Sequence, residues 1–130
     1  MLNELAKEIH ENAVAHGWWD EPRNLLEIAA LCHSELSEAV EEYRAEKPLI
    51  YHKCKGPEYE CLEMEDATSN CYEDKCPSFG KPEGIAVEMG DCLIRILDWF
   101  GHEGLDADAI VREKMKYNES RPYRHGGKKC

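Results

Sequence analysis

Apolar residues recur at the spacing of an α-helix in four separate segments, and this periodicity restricts the chain to a helical fold. The helices are predicted over 2–16, from Pro22 to about 44, from about 83 to 101, and from about 106 to 120. No run of alternating apolar and polar residues predicts a strand. We therefore expect an all-α fold, a four-helix bundle in a single domain of residues 1–130, with a long excursion between the second and third helices. A domain of this size is small enough that partner subunits could help to complete its core.

The charge of the chain is strongly acidic and unevenly distributed. The net charge is -11, and residues 114–130 hold six basic residues and one acidic residue, so the remainder is more acidic still. An acidic body repels a nucleic-acid backbone, whereas the basic tail at about 121–130 suits phosphate. The chain has neither an apolar run of about 20 residues, which a membrane-spanning helix needs, nor the apolar core of a signal peptide. We expect a cytoplasmic protein that binds neither nucleic acid nor membranes.

The seven cysteines are expected to be reduced thiols, because their number is odd and no secretion signal is present. Cys32 and Cys92 fall on apolar helix stripes and are predicted to lie in the core. Four others lie in the polar insert of about 48–82: Cys54, Cys61, Cys71 and Cys76. They are candidates for a structural Zn²⁺ site, although the close Cys-x-x-Cys spacing is absent. The alternative is a flexible excursion that carries incidental thiols.

Two acidic pairs are the main candidates for a functional site. Glu35 and Glu38 lie three residues apart on the second helix, and Glu88 and Asp91 lie three apart on the third. This spacing places both carboxylates of a pair on one helix face. Four carboxylates that point at a common gap would hold Mg²⁺.

A solvated helix face or an ion pair could account for the same acidic residues without a metal. A charged stripe is most often a solvated face, although the third helix is apolar around most of its circumference and should be buried. Arg95 could also neutralise Asp91 or Asp98 by an ion pair.

The chain resembles the MazG-like nucleoside triphosphate pyrophosphohydrolases of the all-α NTP pyrophosphatase superfamily over about 2–44 and 81–129. Beside the two acidic pairs, the resemblance rests on His33–Ala39, Gly84–Glu88, Lys116–Asn118, Arg121-Pro122 and His125–Lys128. Two features depart from the family. Ser34 stands where many members have a further Glu, a role that Glu42 or Asp98 could fill, and the interval between the pairs is longer than usual.

The resemblance implies hydrolysis of an NTP or dNTP to the monophosphate and pyrophosphate, with water as the nucleophile. It implies Mg²⁺, or Mn²⁺, held by the four carboxylates of the acidic pairs, and a homodimer or homotetramer. Glu38 is the candidate to activate the water as well. A dUTPase-like or phosphoribosyl-ATP-type pyrophosphatase is an alternative within the superfamily. A non-enzymatic, zinc-stapled helical interaction module is the alternative outside it.

The remaining candidates would bind the substrate. Lys114, Asn118 and Arg121 lie at i, i+4 and i+7, on one face of the last helix, where they could reach one triphosphate. An ordinary solvated helix face is the competing interpretation. Trp19 could stack on the base, although core packing is the commoner role of tryptophan. The histidines show no paired metal-ligand spacing and are interpreted as bystanders: His10, His16, His33, His52 and His102.

Overall fold

The computed structural model describes residues 1–54 and 79–123. This part of the chain forms four helices and a two-stranded sheet: α1 (Leu2–Ala15), α2 (Leu25–Arg44), β1 (Tyr51–Cys54), β2 (Phe79–Glu83), α3 (Ile85–His102) and α4 (Ala107–Glu119). The predicted helical class is therefore confirmed. The side chain of Cys54, the residues Cys61, Cys71 and Cys76, and the end of the basic tail lie outside what the structure describes, so the zinc prediction stays a prediction.

The helix ends agree with the sequence except at the start of α2. Pro22 was predicted in its first turn, but the helix begins at Leu25. Asn24 caps it instead, because its side chain accepts a hydrogen bond from the amide of Glu27 while the Glu27 carboxylate accepts one from the amide of Asn24. This reciprocal capping box satisfies two amides that would otherwise lack partners.

A β-hairpin joins the two ends of the insert, so the prediction of no strand was wrong, and the insert is not irregular at residues 51–54 and 79–83. β1 and β2 pair antiparallel, with Tyr51 opposite Glu83 and an irregular register between His52 and Cys54. The strands have only four and five residues and carry charged side chains where an apolar face would be expected, so their alternation was not recognisable. Gly84 then leads into α3 with a φ of 113°, and a Cβ there would lie 2.6 Å from the Leu49 carbonyl oxygen.

The described residues separate into two compact units. Unit 1 comprises Met1–Arg23 and the chain from Ile96 onward, and unit 2 comprises Asn24–Arg95. Each unit has its own buried residues, and the arrangement of all four helices as one bundle stays a prediction, as does the single domain.

The core of unit 1 is small. Ala6, Leu97 and Ala107 are buried together, and Leu2, Ile9 and Phe100 pack against them. Gly101 allows α3 to approach α1, because a Cβ there would lie 2.7 Å from the carbonyl oxygen of Ala6.

Unit 2 combines α2, the hairpin and the first part of α3. Its buried apolar residues come from all three elements: Ile28, Ala39, Tyr51 and Cys92. Buried acidic residues accompany them, and these positions define the candidate site. None of the helices in the described residues is long and apolar enough to cross a bilayer.

Candidate metal centre

Three acidic side chains of unit 2 converge on one point. Glu35 lies on α2, and Glu88 and Asp91 lie one turn apart on α3. Each offers a carboxylate oxygen, and these oxygens all lie within 4.8 Å of one another. Three of the four predicted metal ligands are therefore brought together.

Burial and mutual repulsion act on these carboxylates. Glu88 is only 4% exposed. Its pKa is raised above the usual value, first by burial and then by the charges of Glu38 and Asp91. Burial and the charge of Glu35 likewise raise the pKa of Asp91. Charges that repel one another out of water favour proton or cation binding.

Arg95 compensates one member of the cluster. Its Nε donates to Glu35 Oε1 at 2.6 Å, and both side chains are largely buried. The sequence suggested Asp91 or Asp98 as its ion-pair partner, and the structure gives this contact to Glu35 instead. The position accounts for the difference, because Arg95 lies one turn beyond Asp91 on α3 and faces α2 there. Its charge still lowers the pKa of Asp91.

Glu38 lies outside the converging trio. Its side chain is exposed and accepts a hydrogen bond from the Ser34 hydroxyl at 3.5 Å. Its charge nevertheless raises the pKa of Glu88 and of Asp91, so it lies close enough to act on both. Glu38 therefore borders the cluster, and its role as a fourth ligand stays a prediction.

Neither residue considered as a replacement for the missing outer acid joins the trio. The Glu42 carboxylate accepts a hydrogen bond from the Tyr51 hydroxyl at 2.9 Å. This hydrogen bond and, more strongly, burial raise the pKa of Tyr51 to about 12. Asp98 belongs to unit 1 and binds other side chains there.

The donor set suits a hard divalent cation. The cluster offers carboxylate oxygens from three residues and no sulfur or imidazole. Oxygen ligands are those that Mg²⁺ and Mn²⁺ prefer, whereas Zn²⁺ sites usually include nitrogen or sulfur. The cluster could hold such a metal ion, although clusters of acidic groups also occur without one.

Two lysines on the hairpin share the buried carboxylate of Glu83, and the sequence analysis did not identify them. Lys53 Nζ and Lys81 Nζ each lie 3.2 Å from Glu83 Oε1. Burial raises the pKa of Glu83, but the two lysines outweigh it and hold that pKa below its usual value. The charge of Lys81 also lowers the pKa of Glu88 and Asp91. The two lysines meet at Glu83 because β1 and β2 pair, and the sequence analysis did not predict this pairing.

The predicted phosphate-binding residues lie in unit 1. Lys114 and Asn118 are on α4, and Arg121 follows the helix end; all three are exposed. Lys114 Nζ lies 4.9 Å from the centre of the Tyr117 ring. The expectation that these residues reach the acidic cluster stays a prediction.

Trp19 belongs to a polar aromatic cluster in unit 1. Its indole N–H donates to both oxygens of Asp98, at 3.0 and 3.1 Å, and its ring stacks on His102 at 3.8 Å between centroids. The Nδ1 of His10 lies 2.8 Å from Asp98 Oδ1. His10 and His102 are therefore structural partners of Trp19. The sequence signal of this cluster was Asp98 itself, an acidic residue in the narrow polar stripe of a largely apolar helix.

Of the two helix cysteines predicted to lie in the core, only Cys92 is buried, whereas Cys32 is half-buried. The Cys32 thiol has a raised pKa, because it is desolvated and lies beside Cys92.

Comparisons with protein-family models, with curated proteins and with solved structures give no match to this chain.

Proposed function

We propose that this protein hydrolyses nucleoside or deoxynucleoside triphosphates to the monophosphate and pyrophosphate with Mg²⁺ or Mn²⁺. The observation that carries the proposal is the convergence of Glu35, Glu88 and Asp91 within 4.8 Å. These residues belong to the acidic pairs that resemble the MazG-like motif. A non-enzymatic helical module would not require the pairs to meet.

In this proposal the chain supplies the ligands, the base and the positioning groups. Glu35, Glu88 and Asp91 would hold the cation, which would supply positive charge to neutralise and polarise the triphosphate. Arg95 holds Glu35 in place through a hydrogen bond to Oε1. Glu38, exposed at the edge of the cluster, accepts a proton from the attacking water.

Substrate selection would come from groups outside the acidic cluster. We infer that Lys114, Asn118 and Arg121 contact the phosphates and that Trp19 stacks on the base. The exposure of the first three side chains supports this role. The dUTPase-like and phosphoribosyl-ATP-type alternatives differ only in the base or sugar recognised.

The protein is further proposed to form a homodimer or homotetramer. Both helices of unit 2 expose apolar side chains: Val40 and Tyr43 on α2, and Met89 and Leu93 on α3. A second copy would remove this surface from water. Light scattering should show at least a dimer at micromolar concentration, and a monomer would refute this part of the proposal.

The reaction is tested with a panel of NTPs and dNTPs in the presence of Mg²⁺. We expect equal release of pyrophosphate and monophosphate, loss of activity with EDTA, and recovery with Mg²⁺ or Mn²⁺. In H₂¹⁸O the label should enter the monophosphate, because water attacks the α-phosphorus. Release of orthophosphate from the triphosphate would refute the proposal.

Variants connect the reaction to the cluster. Asp91→Asn and Glu38→Gln should each lower kcat/KM at least about a hundredfold, the loss expected on removing a metal ligand or a general base. Glu41→Gln is the matched control, because Glu41 is exposed on the same helix and pairs only with Arg44 in the described contacts. Unchanged activity in both site variants would show that the cluster is not the active site.

A further inference from the structure

The hairpin holds two ammonium groups against one carboxylate. Lys53 comes from β1 and Lys81 from β2, and both lie 3.2 Å from the same oxygen of Glu83. The two nitrogen atoms can therefore be no farther apart than twice 3.2 Å. Pairing across an antiparallel sheet fixes this proximity, since the two strands run side by side.

In the part of the chain that the structure describes, each of these lysines has Glu83 as its ion-pair partner and is otherwise exposed. The Glu83 side chain is 8% exposed, whereas those of Lys53 and Lys81 are 63% and 67% exposed. An ammonium has three N–H donors, and each lysine directs one at Glu83. Two cations on one carboxylate also leave a positive charge, which a single lysine would not have done.

The lysines share unit 2 with the acidic cluster. Lys81, two residues before Glu83 on β2, points to the same face as Glu83, and Tyr51 lies opposite Glu83 on β1. On that face Tyr51 donates to Glu42 of α2. Lys81 acts electrostatically on Glu88 and Asp91, since its charge lowers the pKa of both. Lys81 is therefore the hairpin cation that acts on the trio, and Lys53 lies beside Lys81 because both contact the same Glu83 oxygen.

We propose that Lys53 and Lys81 bind the phosphates of a triphosphate whose cation is held by Glu35, Glu88 and Asp91. This inference rests on the proposed function and adds a phosphate-binding element from the insert. Phosphate oxygens accept strong, charge-assisted hydrogen bonds from ammonium groups. A buried Glu83 holds both lysines in place before the substrate arrives, which reduces the entropy cost of binding.

Lys81 could instead serve only to offset the negative charge of the cluster. The two roles are distinguished by their predictions for phosphate binding. If Lys81 only offsets charge, Lys81→Gln tightens Mg²⁺ and leaves phosphate binding unchanged. If it binds phosphate, the same variant leaves Mg²⁺ as tight or tighter and weakens the polyphosphate.

The test uses the full-length protein and four variants: Lys53→Gln, Lys81→Gln, the double variant, and Lys81→Arg. Lys7→Gln is the control, since Lys7 is exposed on α1 and pairs with an exposed Glu11. Calorimetry measures the Kd of Mg²⁺ alone and that of inorganic tripolyphosphate in saturating Mg²⁺. Steady-state kinetics measure kcat and KM for the best nucleotide of the panel.

We expect each single glutamine variant to weaken tripolyphosphate binding and to raise KM by about tenfold, as for the loss of one charge-assisted hydrogen bond at an exposed site. The double variant should lose more, and Lys81→Arg should retain binding within about threefold because it keeps the charge. The lysine variants should keep the Mg²⁺ affinity of the wild type, except that Lys81→Gln should bind Mg²⁺ as tightly or more tightly because a nearby positive charge is removed. The control Lys7→Gln should match the wild type in Mg²⁺ binding, tripolyphosphate binding and KM.

The outcomes separate the two proposals. Weaker tripolyphosphate binding in the variants, with no hydrolysis by the wild type, refutes the proposed reaction but supports the phosphate site. Hydrolysis by the wild type with unchanged Kd and KM in the double variant refutes the phosphate site alone. A wild type that neither hydrolyses nucleotides nor binds tripolyphosphate refutes both.

Discussion

The acidic cluster should make the metal-free protein less stable than a variant that lacks one of its charges. Glu88 is the best position for this test, because it is almost completely buried and its pKa is raised by burial and by Glu38 and Asp91. Glu88→Gln keeps the shape of the side chain and removes the charge. In the absence of divalent cations we expect this variant to unfold at a higher temperature than the wild type.

The size of the effect follows from the geometry. Carboxylate oxygens of the cluster lie within 4.8 Å of one another. Two unit charges at that distance repel by about 3 kcal/mol at an effective dielectric constant of about 20. Each charge is spread over two oxygens, and Arg95 and Lys81 offset part of it, so we expect a net gain of about 1–2 kcal/mol. For a chain of this length the corresponding rise in Tm is about 4–8 °C.

The assay is thermal unfolding followed by circular dichroism, first in EDTA and then with increasing Mg²⁺ or Mn²⁺. The wild type should gain about 2.7 kcal/mol when the cation reaches a hundred times its Kd, and Glu88→Gln should gain much less. The order of stability should therefore reverse as the cation is added. Glu103→Gln, at an exposed position beyond α3, controls for the general effect of removing a negative charge.

The pH dependence has a definite sign. A carboxylate whose pKa is raised by folding contributes stability at low pH, where it is protonated, and this contribution is lost as the pH rises through the raised pKa. In EDTA the wild type should match Glu88→Gln below about pH 4, near the usual pKa of glutamate, and fall behind it at higher pH. A wild type more stable than Glu88→Gln in EDTA at pH 7.5 would refute the idea that the cluster repels itself.

Three further predictions concern the packing around the sites. Arg95→Met should lower the free energy of unfolding, measured in urea, by about 3 kcal/mol, because it leaves the buried Glu35 without its partner. Adding Glu35→Gln should recover part of this loss. Additive effects of the two substitutions would show that the pair is not coupled. Gly101→Ala should lower the free energy of unfolding by about 1–3 kcal/mol, because the added Cβ clashes with α1. Gly90→Ala should raise it by about 0.5–1 kcal/mol, since no atom lies within 4 Å of the added Cβ. Equal effects of the two substitutions would contradict the close approach of α3 to α1 at Gly101. Trp19→Phe should cost about 2 kcal/mol, because it removes the indole N–H whose hydrogen bond is shared by the two oxygens of the Asp98 carboxylate. The same change at the exposed tryptophan before it should cost little, and equal losses would argue against a stabilising contact to Asp98.

The helices could be predicted because their apolar spacing is regular. α1 and α4 begin and end within a residue of the predicted positions, since the sequence carries both the periodicity and the end signals such as Asp106, which caps α4. The start of α2 was mispredicted because Pro22 also suits a first helical turn, whereas the capping box of Asn24 and Glu27 sets the actual start.

The acidic residues that meet in the candidate site could be predicted from the sequence, whereas the contacts of its basic residues could not. Spacing of three residues on a helix placed Glu88 and Asp91 on one face, and the structure agrees. The partner of Arg95 depended on how α2 and α3 pack, which no local pattern encodes. The same limit applies to Lys53 and Lys81, which meet only because two short strands pair across an insert.

The charges in unit 2 are balanced unevenly, and the imbalance gives the proposed chemistry its physical basis. The buried trio has three carboxylates and one guanidinium contact, through Arg95, so it remains negative by two charges when ionised. A chain that needed only stability would have neutralised this cluster or replaced it with apolar residues, because uncompensated buried charges cost free energy. At the hairpin the imbalance has the opposite sign, since Lys53 and Lys81 share a single carboxylate. A negative pocket with a positive neighbour suits a ligand that brings both signs of charge, and a divalent cation bound to a polyphosphate is such a ligand.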